Sequence, residues 1–109
     1  MAEAVTNIRV DGVPGFFVVF MTTRFGSLAE VQREAPEQLA EHIRTSKQLH
    51  DEGRLLMAGA FLDRPDEPLR TMGVLRSYDD ARRYGENDPF VRAGLIEEWD
   101  IRSWANIFQ

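Results

Sequence analysis

The chain holds two imidazoles, His42 and His50, and no cysteine, which excludes thiolate nucleophiles, disulfides and zinc sites built on Cys. Both histidines lie in "PEQLAEHIRTSKQLHDEG", residues 36–53. At about 100° per residue, position 42 sits roughly 20° from Leu49 and roughly 60° from Leu39, so His42 points with the apolar stripe of a helix. His50 is turned roughly 80° away and lies near the segment's end, where a partly exposed imidazole interacts favourably with the last carbonyls. An inward imidazole needs a partner, because leaving it unpaired costs about 1–3 kcal/mol.

Asp88 is the candidate partner. It stands in "GENDPFVRAG", residues 85–94, where Pro89 disfavours helical dihedrals at Asp88, ending one helix and aiming the carboxylate sideways. A carboxylate on one ring nitrogen fixes the tautomer, supports the charged form and leaves the other nitrogen to take or give a proton. The plainer uses carry weight too: a lone inward His is more often a satisfied core residue, and Asp before Pro is commonly a cap or turn residue. Ser46, one turn after His42, is placed to add a hydrogen bond to a substrate. Arg24 could hold a substrate carboxylate, although a surface ion pair is its commoner use.

The elements that must position these residues are legible from pattern. "FFVVFMTT", residues 16–23, is aromatic and β-branched without charge, a central strand covered on both faces. "RFGSLAEVQREAP" is a polar connection with helical character, where Ser27 and Glu30 suit a capping box. Pro36 starts the main helix, Glu37 suits its first turn, and Gly53 stops it; Leu39, Ile43, Ser46 and Leu49 form the inward stripe. "RLLMAGAF" (54–61) and "LRTMGVLRS" (69–77) are strands forming a hairpin, the second interrupted by Gly73. "YDDARRYGEN" is a short amphipathic helix, and residues 96–107 carry an imperfect period of two, a last strand with one irregular point. Trp99 and Trp104 on it read as core or interface, and Met21, Met57 and Met72 as gap fillers.

Strand, helix, strand, strand, helix, strand is the split β-α-β layout of α+β ferredoxin-like folds, with an antiparallel sheet and both helices on one face. The other face has no cover from a chain of 109 residues, so two copies are expected to pair sheet to sheet as a dimer at least. Residues 1–15 read as an N-terminal arm, either flexible or a short edge strand, and 16–109 as one domain.

Bulk properties narrow the function. With 13 Lys plus Arg against 18 Asp plus Glu, a formal charge of -5 and no basic face, nucleic acid is not an expected partner. "GFFVVFM" is too short to span a bilayer, residues 1–13 lack a signal peptide's apolar stretch, and the cytoplasm is the expected compartment. Asp63, Asp66 and Glu67 lie beside prolines with no His, a solvated loop rather than a metal site. No phosphate-loop or other cofactor motif is present, so no metal and no cofactor are expected.

"LAEHIRTSKQLHDEGRLLMAGAF" (39–61) and "NDPFVRAGLIEEWDIRSW" (87–104) resemble the YCII-related domain family, which pairs a His on the first helix and "HDEGRLL-x-AG" with a later Asp-Pro-aromatic run ending in Ala-Gly. The resemblance spans residues 16–108 and implies a ferredoxin-like domain that dimerises into an α/β barrel, as in muconolactone isomerase-like proteins. It also implies a His-Asp pair beside a cleft. Motif for motif, His42 takes the family His and Asp88 the family Asp, while His50 falls in a segment that reads as structural. One group in the family removes chloride from chlorinated hydroxyquinols; others resemble isomerases or accessory proteins. The leader, the longer "TRFGSLAEVQREAP" connection and "GAF" where Gly-Pro often follows the second strand depart from the pattern and bear on substrate access.

The expectation is a small cofactor-independent enzyme in which His42, oriented by Asp88, moves a proton on a small cyclic or aromatic substrate, as an isomerase, a lyase or dehydrochlorinase, or a cyclase. The alternative is a non-catalytic small-ligand-binding or accessory protein.

Overall fold

The uncharged run at 16–23 does form the strand at the centre of the domain. The computed structural model describes Gly12 and residues 15–107; the expected arm at 1–15 lies outside the described residues except for Gly12 and Gly15, as do residues 108 and 109. β1 (Gly15–Thr23) is followed by α1 (Leu28–Glu34), α2 (Pro36–Asp51), β2 (Leu55–Ala60), β3 (Arg70–Leu75), α3 (Tyr78–Asn87), α4 (Pro89–Arg92) and β4 (Ile96–Ala105). The strands form one sheet in the order β2-β3-β1-β4, antiparallel at every pairing. This is the split β-α-β layout expected from the element order.

Local signals explain most boundaries. Ser27 accepts from the Glu30 N–H at 3.1 Å, while the Glu30 carboxylate reaches back to the Gly26 N–H at 3.4 Å, so the capping box is half made and shifted by one residue. Gly53 takes φ +77°, its N–H donates to the His50 carbonyl at 3.0 Å, and the Arg54 N–H donates to Leu49 at 2.9 Å. That paired closure of α2 suits a residue in the left-handed region. The irregular point of the last strand falls at its start: Thr22 pairs with Glu98 but Thr23 with Ile96, leaving Glu97 as the extra residue of a bulge.

Two apolar clusters hold the helices to the sheet. One joins Phe17, Val19 and Met21 of β1 to Trp99 and Ile101 of β4 and Ala81 of α3; the other joins Phe25, Val31, Ala35, Leu69 and Phe90 where α1 and α4 meet the sheet's end. Between these clusters α2 has no buried residue. The expected inward stripe is therefore corrected at Ile43, which is 56% exposed. Register explains why: Ala58 pairs with Gly73 and Ala60 with Thr71, so the edge strand offers α2 little more than methyl groups, too small to fill the space beneath a helix.

The sheet's opposite face carries Phe16, Val18 and Phe20, with Trp104 against Phe16 and Phe61 stacked on Phe20 at ring-centroid distances of 6.3 and 6.5 Å. β1 is thus central, but Phe16 and Phe20 on this second face are only half-buried. Met57, expected as a gap filler, is 59% exposed because it alternates onto this uncovered face. No helix among the described residues is long and apolar enough to cross a membrane.

Candidate active site

The space left under α2 is a cleft of about 730 Å³, walled by Leu39, His42, Ile43 and Ser46 from the helix and floored by Ala58, Ala60 and Thr71 of the sheet. Its lining is overwhelmingly apolar, as small-molecule sites are. Among the described residues of the lining Lys47 is the one lysine, arginine or carboxylate side chain, and it is itself tied to Asp51 at 2.9 Å.

His42 and Asp88 meet at the wall. The imidazole Nδ1 lies 2.5 Å from Asp88 Oδ1, across 46 positions of chain. Asp88 is buried, its side chain 2% exposed against 22% for His42. The carboxylate tolerates burial because every lone-pair direction in use has a donor: Oδ2 accepts from the N–H of Phe90 at 3.0 Å and of Val91 at 3.3 Å, capping α4. Pro89 holds Asp88 extended at φ -59°, ψ 133°, the turn away from α3 that its sequence context implied. Since an ionised carboxylate only accepts, Nδ1 carries the hydrogen and Nε2 is the free nitrogen of the ring. Phe90 packs beside the imidazole at 5.4 Å and Tyr84 stands edge-on at 6.2 Å.

The other expected site residues fare differently. Ser46 is on the cleft wall, but its hydroxyl oxygen is buried with no hydrogen-bond partner, so it faces the protein rather than a substrate. Arg24 is exposed and is not part of the lining, although Thr23 and Phe25 are; alternation along the chain turns it outward. His50 lines the cleft and shares Nδ1 with the Leu55 carbonyl at 2.8 Å, so it joins α2 to β2 instead of sitting against its own helix end. Among the described residues, no group of three or more His, Cys, Asp or Glu is arranged to hold a metal ion.

Tyr84 was given no role by pattern alone, because a lone Tyr in a short polar helix carries no motif. It lines the cleft. Burial pushes its phenol up to about 12, the Ser46 hydroxyl beside it opposes, and the Asp88 charge adds to the rise. The two hydroxyls are neighbours without a well-formed hydrogen bond. Because the folded value lies above the ordinary 10, stability from the neutral phenol is complete below pH 10 and is lost as pH climbs through about 12. Alkaline absorbance titration is expected to show a tyrosine component with a midpoint of about 12 that vanishes in Tyr84→Phe; no difference between the two curves would place this phenol in water.

The fold and cleft define a ferredoxin-like α+β domain with a carboxylate-held histidine at an apolar cavity. The YCII-related domain matches residues 15–105, and the chain belongs to that family. No curated protein matches it in sequence. Among solved structures it is similar to the 5-chloro-2-hydroxyhydroquinone dehydrochlorinase TftG of Burkholderia phenoliruptrix AC1100, in complex with 2,5-dihydroxybenzoquinone, at 22% identity and TM-score 0.59, covering 82% of this chain and 92% of that one. It is also similar to PA3566 of Pseudomonas aeruginosa, at 16% identity and TM-score 0.52, covering 89% and 97%. At these identities the likeness is one of fold.

Proposed function

We propose that this chain is a small cofactor-independent enzyme in which His42, oriented by Asp88, transfers a proton on a small cyclic or aromatic substrate next to a carbonyl or phenol-like oxygen, leading to isomerisation, elimination or ring closure. The observation that carries the reading is the 2.5 Å contact between a buried carboxylate and an imidazole on the cleft wall. An oriented imidazole with one free nitrogen is general acid–base equipment, typically worth about 10²–10⁴ in rate. The apolar lining suits a ring, and the fold relative whose bound compound is a dihydroxybenzoquinone motivates halogenated hydroquinones as first substrates, with lactones second. The test is turnover of both sets by wild type, His42→Ala and Asp88→Asn.

A second reading is favoured by one observation: Asp88 also caps α4, a structural task it would perform in a protein that only binds a ligand or assists a pathway. Stability measurements on the same variants separate the two readings.

The partner in the working protein is a second copy. Met57, Phe61 and Trp104 are 59%, 44% and 48% exposed on the uncovered sheet face, and a contiguous apolar face of this kind is covered in stable assemblies. Analytical ultracentrifugation is expected to give twice the chain mass of 12.5 kDa, and Phe61→Glu to shift it toward the monomer. A wild-type monomer at tens of micromolar would remove the proposal.

A further inference from the structure

The ring of Tyr84 lies on Gly73 in the middle of β3: a β-carbon there would sit 3.2 Å from Cε2 and 3.4 Å from the phenolic oxygen. The glycine that interrupts the strand pattern therefore leaves room for the phenol against the sheet. The phenol and the His42 imidazole meet at a steep angle with ring centroids 6.2 Å apart, on the same cleft. Ser46 beside it has a buried hydroxyl that is unpartnered, and no hydrogen bond of good geometry ties the phenol to a described residue. The phenol lines the cleft with only the Ser46 hydroxyl as a polar neighbour acting on it by hydrogen bonding, so its hydrogen is available to a ligand oxygen seated beside His42.

We propose that Tyr84 is a catalytic residue that donates a hydrogen bond to the substrate oxygen on which negative charge develops as His42 removes a proton, so that the ligand class is phenols and enolisable ketones held as their anions. The step rests on the proton-transfer reading above; the anion binding does not. A C–H or O–H bond breaks, its proton passes to His42 Nε2, and its electron pair is carried by the carbonyl or phenol oxygen. Tyr84 keeps its own proton throughout. Return of the proton at another carbon completes an isomerisation, whereas expulsion of halide by the pair completes an elimination, with the proton released to water. No described lining residue is a carboxylate, and Asp88, whose charge does reach the phenol, is buried behind the ring and paired with His42. A phenol is protonated at neutral pH at its ordinary value of 10, and burial moves Tyr84 further the same way, as an oxyanion donor requires.

The probe is 4-nitrophenol, whose anion has its own absorption band. Wild type is expected to bind the anion preferentially, lowering the probe's apparent pKa. Tyr84→Phe, which keeps the ring and hence the packing on Gly73, is expected to weaken anion binding at least about tenfold, the scale of a hydrogen bond to a charged group. The loss should be the same in a His42→Ala background. Gly73→Ala, which pushes the ring without removing its hydroxyl, is expected to give a smaller loss. With substrate, Tyr84→Phe should lower kcat about 10²-fold with little change in KM. Equal anion binding by folded wild type and Tyr84→Phe, or failure of wild type to prefer the anion, overturns the inference. If instead the tenfold loss is found while His42→Ala and wild type turn over equally, the donor role stands and the proton-transfer reading falls.

Discussion

His42→Ala is expected to lose about 10²–10⁴ of turnover while remaining folded. The imidazole is partly exposed at the cleft, and Asp88 keeps two of its three donors, the Phe90 and Val91 N–H groups, when the ring is removed. The stability cost is therefore expected to stay within about 1–3 kcal/mol, the price of one lost partner on a buried acceptor. Asp88→Asn is the sharper variant. The carboxylate serves the helix N–H groups with Oδ2 and the ring with Oδ1, whereas an amide has one accepting oxygen and one donating NH₂. If the amide oxygen keeps the cap, its NH₂ meets Nδ1, which must then accept, and the hydrogen moves to Nε2. The ring nitrogen facing the cleft is no longer a base, and turnover is expected to fall as far as in His42→Ala with the fold intact. Equal rates in wild type and both variants would sink the mechanism. A large loss of stability in both variants, with ligand binding retained, would instead favour the reading in which the pair only supports the core.

Gly85→Ala carries the largest expected effect on stability. Gly85 lies within α3, and a β-carbon there would sit 2.1, 2.4 and 2.5 Å from three atoms of the Trp99 indole. The indole is 7% exposed and packed among Met21, Ile101 and Ala81, so it has nowhere to go. Overpacking usually costs about 1–3 kcal/mol and more when the neighbour is rigid; Ala regains about 1 kcal/mol of helix propensity over Gly. The net expectation is destabilisation by about 3 kcal/mol, read as a lower urea midpoint at unchanged slope. The effect should also reach the site, because the Asp88 N–H closes α3 on the Gly85 carbonyl at 3.4 Å, and a displaced helix end moves the carboxylate. An unchanged midpoint would show that α3 shifts freely over the sheet.

Gly85 marks the limit of sequence reading. The helix reading of "YDDARRYGEN" holds through Asn87, but nothing in that segment shows that Gly85 is kept small by an indole from a strand that follows it in the chain. Ile43 fails in a related way. Its place on the apolar stripe is right, but the stripe faces a cleft, because the edge strand offers only Ala58 and Ala60 on that face. Ser46 was placed on the correct wall, and only the neighbouring phenol decides that its hydroxyl faces inward. Arg24 lies just past the end of β1, exposed and outside the cleft lining, a position that its residue type alone does not reveal. Tyr84 and Gly73 each carried a faint signal, a tyrosine in a polar helix and a glycine in a strand, whose meaning lies in their contact.

What the amino-acid order determined alone is whatever depends on near neighbours: strand and helix boundaries through periodicity, the α2 stop through Gly53, and the extended turn at Asp88 through Pro89. The inward angle of His42 belongs with these, and element order then restricts the topology enough to bring Asp88 within reach of it. Only the tertiary structure decided which small residues lie opposite which large ones, and so where a cavity opens, which hydroxyl is covered and which phenol lines the opening. Volume and hydrogen-bond complementarity are properties of pairs brought together by folding, and no single segment carries them.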